Sequence, residues 1–364
     1  MPQEINIGTR RVSRDGPPLV IAEIGVNHDG DMNTARALVR AAHQALQGHP
    51  GAVKFQLFTA ARLLAREAGL VEYQRTSAQS AQELLAGLEL SPSQMTELVQ
   101  LAQSLGLAAI ITPFSPDLVP VAQACGAAAI KLASPDLVNR PLIEAALATG
   151  LPLILSTGAA RLEEITQTLR WVDKFPARSA GGPTARQRVI LLHCVSSYPT
   201  PENDASLAGV RVLRLAWEDL PIGYSDHTLL TLTGGLAVAA GASVLEKHLT
   251  LDKTRRGPDH AASLQPAELA EYVRLADLAY RMCGPMEKRV LPIELEIRAQ
   301  TRQSIAAAVD LAPGTILTLD HLTVKRPGTG LPAAGLRDLV GRKITKSVAA
   351  GSLLKLNDLG DPES

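Results

Sequence analysis

Cysteine is scarce in this chain: Cys125, Cys194 and Cys283 in 364 residues, an odd number lying mostly in apolar surroundings. That excludes a disulfide frame and a cysteine zinc site, and fits reduced thiols in a cytoplasmic protein. Net charge is lacking too, with 36 Lys plus Arg against 36 Asp plus Glu. No overall field draws in nucleic acid or an anionic membrane. No apolar run approaches the roughly 20 residues of a membrane span. The stretch from Met1 to Arg14 lacks the apolar segment of a signal peptide. No Gly-x-Gly-x-x-Gly follows the first apolar run, which weakens a dinucleotide-binding sheet. What remains is globular, with 46% hydrophobic residues and a length more natural for two domains than one.

Short β-type runs alternate with helical stretches from residue 19 onward. The expected strands are Leu19–Ile24, Ala52–Leu57, Leu107–Thr112, Ala127–Leu132, Pro152–Ser156, Val189–Cys194, Leu220–Tyr224 and Ala242–Leu249. Helical patterns such as Met32–Leu46 and Pro92–Leu105 lie between them, the second opened by an N-cap serine and a first-turn proline, Ser91-Pro92. Eight such units predict a (β/α)8 barrel over residues 1–284, with a doubly wound sheet as the rival. The stretch 178–188, with Gly181-Gly182-Pro183, reads as a loop before the sixth strand.

Beyond Cys283 the texture changes. A charged segment, Glu287 to Arg302, predicts a helix that forms the linker over 285–303, followed by a small β-rich domain over 304–364. That domain contains a repeat: Ala312-Pro313-Gly314-Thr315-Ile316-Leu317-Thr318-Leu319-Asp320-His321-Leu322 returns as Ala349-Ala350-Gly351-Ser352-Leu353-Leu354-Lys355-Leu356-Asn357-Asp358-Leu359. Each copy sets a turn glycine before a β-like run and a short Asp/Asn turn, which predicts a pseudo-symmetric unit suited to a binding or lid role.

Active sites of parallel barrels sit at the C-terminal ends of the strands. His227, in Tyr224-Ser225-Asp226-His227, and His248, in Glu246-Lys247-His248, arrive there on neighbouring strands. Two imidazoles on one rim suit a divalent metal with open coordination positions. Residues two apart share a strand face, so Glu246 points with His248 into the mouth while Lys247 points outward. Lys54 and Lys131 are mid-strand lysines, costly to bury unless an anion meets them. With the hydroxyls of Thr112, Ser134, Ser156, Thr157 and Ser225 they form either a cradle for a small phosphate- and carboxylate-bearing ligand or half of ion pairs with carboxylates. Glu23, on the first strand, either orients a sugar hydroxyl or shuttles a proton, or else neutralises a lysine. Tyr198 is either a sugar contact or a loop anchor.

Ile21-Ala22-Glu23-Ile24-Gly25-Val26-Asn27-His28, Val53-Lys54-Phe55-Gln56, Thr112-Pro113-Phe114, Tyr224-Ser225-Asp226-His227, Glu246-Lys247-His248 and Gly257-Pro258-Asp259-His260 together resemble the sialic acid (N-acetylneuraminate) synthase family. Lys325-Arg326-Pro327-Gly328-Thr329-Gly330 is similar to the antifreeze-like (SAF) domain that those enzymes carry. The resemblance covers nearly the whole chain. It implies condensation of phosphoenolpyruvate with the open-chain aldehyde of an N-acetylmannosamine-type sugar, giving a nine-carbon 2-keto-3-deoxy acid and phosphate. It further implies that His227 and His248 hold a manganese-like ion, with magnesium or cobalt as alternatives, polarising the aldehyde and positioning water. Lys54, Thr112, Lys131, Ser134, Ser156 and Ser225 would hold phosphoenolpyruvate. Glu23, Tyr198, Glu246 and Asp259 would lie near the sugar, and Asp136 would handle the proton or water. Arg326 would touch the N-acyl group in the barrel of a partner subunit, in a domain-swapped homodimer; from sequence alone it reads as a solvated loop cation.

The chain departs from the family pattern at two places. Pro135-Asp136 stands where many relatives have Gly-Glu, one methylene longer, and Val195-Ser196-Ser197 stands where Asn-Thr-Glu is frequent. The second points toward a diacetamido-trideoxy acceptor, as used for legionaminic or pseudaminic acid. Phosphoenolpyruvate-dependent synthases of the shikimate or lipopolysaccharide type are a rival, but they need extra rim arginines for a phosphorylated sugar. A carbohydrate- or ice-binding protein is a second rival. It lacks a regular threonine surface, with only scattered Thr315, Thr318 and Thr323, and leaves the barrel lysines and histidines without purpose.

Overall fold

Eight parallel strands, buried on both faces, close into a barrel. In the computed structural model they are β3 (Leu19–Gly25), β4 (Gly51–Leu57), β5 (Ala108–Pro113), β6 (Ala129–Leu132), β7 (Leu153–Ser156), β8 (Val189–Cys194), β9 (Ile222–Asp226) and β10 (Val244–His248). They are preceded by an antiparallel hairpin, β1 (Glu4–Ile7) and β2 (Arg10–Ser13). The structure describes residues 4–46, 48–49, 51–65, 80–177 and 183–360. The chain divides into two units, Met1–Pro285 and Met286–Ser364. The barrel closes where β10 pairs with both β9 and β3.

Strand alternation sorts the residues into an outer and an inner set. Val20, Ala22, Val53, Phe55, Ile222 and Leu245 face outward, in the cluster formed with helices such as Met32–Ala45 and Pro92–Ser104. Leu19, Ile21, Ala52, Ala108, Ile110, Ala129, Ile154, Ile190, Leu192 and Val244 fill the barrel interior, closed at its N-terminal end by Ile5, Ile7 and Val12 of the hairpin. The interior is therefore a packed apolar plug up to that level. Gly223 takes its place in the barrel wall because a Cβ there would stand 2.4 Å from Val244 O and 2.5 Å from Leu192 Cδ2. One step further toward the C-terminal ends the inner set turns polar: Glu23, Lys54, Thr112, Lys131, Ser156, Ser225 and Glu246, all buried. That switch is the floor of the mouth.

The hairpin was not expected from sequence; strands of four residues are too short for alternation to stand out. Of the stretch 178–188, residues 178–182 lie outside the described residues, and Arg186–Arg188 forms one 3-10 turn.

In the second unit β11 (Ser304–Ala307) pairs antiparallel with β12 (Leu322–Lys325). Its core gathers Ile305, Leu311, Leu317, Leu322, Ile344, Val348, Leu354 and Leu359. The sequence repeat is a structural repeat: Gly314 and Gly351 both take positive φ (90° and 83°). Each copy ends in a 3-10 turn, Leu319–His321 and Leu356–Asp358. Each turn is closed by a side chain three residues on, His321 Nδ1 accepting from Thr318 N and Asp358 Oδ2 from Lys355 N. Helix before β11 is confined to Leu295–Thr301, with a 3-10 turn at Pro292–Glu294. The expectation of one helix through 287–302 is corrected accordingly, since Pro292 has no N–H to continue such a helix.

Candidate active site

The polar layer is a network of opposite charges. Lys54 Nζ lies 3.1 Å from Glu23 Oε2 and 3.4 Å from Glu246 Oε2, and Lys131 Nζ lies 3.6 Å from Glu246 Oε1. Gln56 Nε2 donates to Glu23 Oε1 at 3.0 Å, Ser225 Oγ to Glu246 Oε1 at 2.9 Å, and Lys54 Nζ to Thr112 Oγ1 at 3.4 Å. Burial opposes every charge here and pushes the Glu23 carboxyl up and the Lys131 ammonium down. Against burial, Lys131 and Lys54 hold the Glu246 carboxyl down at about 2. Glu23 and Glu246 likewise outweigh burial and keep Lys54 above its usual range.

Both lysines thus meet carboxylates within the protein. Glu246 stands between them, paired with both. Of the hydroxyls expected to face a ligand, Ser156 Oγ is buried without a hydrogen-bond partner. Ser134 Oγ accepts from Gly158 N at 3.0 Å. Thr157 is corrected: its hydroxyl donates to Leu192 O at 2.9 Å and is committed to the neighbouring strand.

Above this layer the two imidazoles face each other, ring centroids 5.4 Å apart. His227 Nδ1 lies 2.8 Å from Val195 O, so it carries the proton and leaves the Nε2 lone pair free. Cys194 Sγ lies 3.8 Å from the same nitrogen. Burial, aided by the charges of His227 and Lys54, holds His248 well below the usual imidazole range, hence neutral. Its Nδ1 is buried with no hydrogen-bond partner, and Asp259 Oδ2 lies 3.5 Å away. Two imidazoles, one held neutral by burial with an orphaned buried nitrogen and the other raised, against burial, by its contacts with Cys194 and Val195, are a donor set that fits a divalent ion. Among the described residues no group of three or more His, Cys, Asp or Glu is arranged to hold a metal. The protein's share is therefore the imidazole pair, and water and substrate oxygens must complete the shell.

Tyr198 packs on His227 at 4.0 Å and edge-on to His248 at 6.0 Å between centroids. Asp136 occupies the 3-10 turn Ser134–Val138 and accepts from Asn139 Nδ2 at 2.9 Å, and burial raises its carboxyl. Arg326 is exposed in the second unit. Cys194 was missed, although it shares parity with the inward Ile190 and Leu192.

A second charged set lies behind the histidines. Asp226 and Lys247, each immediately before a histidine, are register partners across β9 and β10. Both side chains are fully buried, with Lys247 Nζ 3.1 Å from Asp226 Oδ2. Thr228 N and Thr233 Oγ1 donate to Asp226 at 2.8 and 2.5 Å. Lys247 also donates to Thr228 O and lies 5.6 Å from the centroid of the Tyr272 ring. Lys247 does point away from the mouth, but into the helix layer and not to solvent.

A (β/α)8 barrel whose mouth joins buried lysines and carboxylates to a pair of facing imidazoles is built for an anionic substrate and a polarised second one. Residues 38–288 match the NeuB family and residues 302–360 the SAF domain. The N,N'-diacetyllegionaminic acid synthase of Legionella pneumophila is 36% identical over 338 residues, covering 92% of each chain. Human N-acetylneuraminate-9-phosphate synthase is 33% identical, covering 96% of this chain and 94% of its own. The solved structure of N-acetylneuraminic acid synthetase from Leptospira borgpetersenii, in complex with citrate, superposes with a TM-score of 0.71 at 32% identity, covering 82% of this chain and 95% of that one. The chain belongs to the NeuB family and carries a C-terminal SAF domain. It is an enzyme, a phosphoenolpyruvate-dependent nonulosonic acid synthase, of a family whose members use a divalent metal. Among the described residues no helix is long and apolar enough to cross a membrane.

Proposed function

We propose that the protein condenses phosphoenolpyruvate with the open-chain aldehyde of N-acetylmannosamine, giving N-acetylneuraminate and phosphate. The observation that carries this is the stacking of two layers: Lys54 and Lys131 with Ser156 and Thr112 below, and His227, His248 and Tyr198 above. The lower layer takes the phosphate and carboxylate of phosphoenolpyruvate, with Ser134 and Ser225 at its edge. Glu246 keeps both lysines protonated until the substrate anion arrives. The upper layer receives the aldehyde end of the sugar, with Tyr198 and Asp259 beside it.

His227 and His248 would hold a divalent ion, read as manganese, and when bound it supplies Lewis acidity to the sugar aldehyde. C3 of the enol bonds to the aldehyde carbon, water adds at C2, and phosphate departs. Asp136, its carboxyl raised by burial, would orient that water, and Glu23, ion-paired with Lys54, would pass a proton through it.

An acceptor without phosphate is supported by two cations of the loop after β10, Lys253 paired with Glu268 at 2.7 Å and Arg255 with Asp29 at 3.2 Å, beside an exposed Arg256. These two cations are already met by acids. Arg326 would reach the N-acyl group from a partner subunit in a domain-swapped homodimer. Large apolar side chains laid open along the segment before β11, Met286 at 87% and Ile293 at 88% exposed, support a second copy.

A diacetamido-trideoxy hexose is the second reading. Val195-Ser196-Ser197 offers no side-chain amide or carboxylate, and the Legionella relative is named for a diacetylated product. The test is kcat/KM for N-acetylmannosamine, its 6-phosphate and the diacetamido sugar, with each product identified by mass. Preference for N-acetylmannosamine is expected. Preference for the phosphorylated sugar overturns the paired-cation reasoning, and preference for the diacetamido sugar selects the second reading.

A further inference from the structure

The last barrel loop gives Asp259 to the mouth and leaves its neighbour, His260, without a part in the chemistry. His260 is fully buried. Its Nδ1 lies 2.7 Å from Thr250 Oγ1 and its Nε2 2.9 Å from Asp29 Oδ1. Hydroxyl, imidazole and carboxylate in line have the make-up of a nucleophilic triad. Thr250 is itself fully buried, and its hydroxyl lies 3.1 Å from Asp252 O, so no substrate reaches it. The line is a brace.

What it braces is visible in the surrounding bonds. Asp29 belongs to the loop after β3, far away in sequence, and its backbone sits in the left-handed region at φ 53°. It also holds Arg255 of the last loop, 3.2 Å away. Asn27, in the same first loop and 1% exposed, donates its amide to Leu249 O at 2.9 Å and to Ser263 Oγ at 2.8 Å. Ser263 Oγ donates onward to Asp259 O at 2.6 Å. The segment from Leu249 to Ser263 is therefore tied to the first loop on both sides of Asp259. The Asp259 carboxylate, 3.5 Å from His248 Nδ1, projects from the stretch that these ties hold.

We propose that His260 and Asn27 are positioning residues that hold the Asp259 carboxylate at the barrel mouth, with Asp29 orienting His260. The proposal rests on the reading of Asp259 as a sugar-side carboxylate. It gives a task to Asn27, Asp29 and His260, the members of the two motif fragments that the chemistry itself does not use.

The experiment compares His260→Ala, Asp259→Asn and the double variant, measuring KM for sugar and for phosphoenolpyruvate separately. His260→Ala should lower kcat/KM for the sugar by about 10- to 100-fold, mainly through KM, with KM for phosphoenolpyruvate moving less than about twofold. In the Asp259→Asn background the same change should add less than about twofold, because its effect runs through Asp259. Full multiplication of the two effects, or an equal rise in both KM values, overturns the proposal and leaves His260 a support of the fold. If Asp259→Asn alone leaves sugar kcat/KM unchanged, the sugar-side reading of Asp259 fails first, and the proposal with it. Should His260→Ala not fold, Asp29→Asn, which keeps an acceptor oxygen for His260, must show the same sugar-selective loss at smaller size, and a wild-type KM for the sugar overturns the proposal.

Discussion

Replacing Lys247 by methionine removes one half of an ion pair that is fully buried on both sides, with Nζ and Oδ2 3.1 Å apart. Breaking such a pair from one side typically costs about 3–5 kcal/mol, because the remaining charge stays buried without its partner. Asp226 keeps two donors, Thr228 N and the Thr233 hydroxyl, so the lower end applies. Thr228 O loses the ammonium as well, at about 1 kcal/mol. A total near 3–4 kcal/mol corresponds to a fall in Tm of roughly 6–12 °C for a domain of this size. Urea unfolding at pH 7 measures it, with an unchanged m-value as the check that the same transition is followed. Asp226→Leu combined with Lys247→Met should recover most of the loss, since an apolar pair of similar volume replaces a buried ion pair at little cost. A single variant less than about 1 kcal/mol below wild type refutes the reasoning, as it would mean the pair is not desolvated. The pair directly precedes both histidines, so the single variant should also weaken turnover beyond its effect on stability.

Further outcomes are expected. His227→Ala and His248→Ala should each lower kcat/KM more than about 100-fold and abolish manganese binding read by electron paramagnetic resonance, with circular dichroism unchanged; near-normal activity in excess manganese contradicts the metal assignment. Lys131→Met should raise KM for phosphoenolpyruvate about 10- to 100-fold, and an effect on the sugar alone contradicts the anion layer. Burial holds His28 at about 4, below its unfolded value near 6.5. The unfolded chain therefore binds the extra proton between those values, and stability falls as pH drops through that window, by about 2–3 kcal/mol at pH 4.5. His28→Asn should flatten that part of the urea-midpoint profile, and an unaltered slope rules the assignment out. Gly223→Ala should cost at least about 1–3 kcal/mol, because the new Cβ meets the backbone oxygen of Val244, which cannot swing aside; a neutral result in thermal unfolding counts against the packing described.

Strand alternation is enough to place Glu23, Lys54, Lys131, Ser225, Glu246 and His248 on the inner face, because a barrel strand has only two faces and one is apolar below the mouth. It cannot say which carboxylate meets which lysine. Glu246 reaches Lys54 only because the barrel closes β10 onto β3, a pairing between the two ends of the barrel chain. Thr157 was misplaced because, directly after the inward Ser156, it carries the opposite parity and turns to the neighbouring strand. The Asp226–Lys247 pair and the Asn27–His260 ties depend on contacts between separate loops and strands, and single residues in a sequence carry no mark of such partners. The helix expected through 287–302 failed on local chemistry that was legible, the proline at 292.

Phosphate release from phosphoenolpyruvate by the purified full-length protein, with N-acetylmannosamine and manganese present, tests the central claim most directly. The account predicts release that requires both sugar and metal, is abolished by EDTA, and matches one for one a keto acid whose mass is that of both substrates plus one water less phosphoric acid. Release independent of the sugar, or no release with either N-acetylmannosamine or the diacetamido sugar, would contradict it.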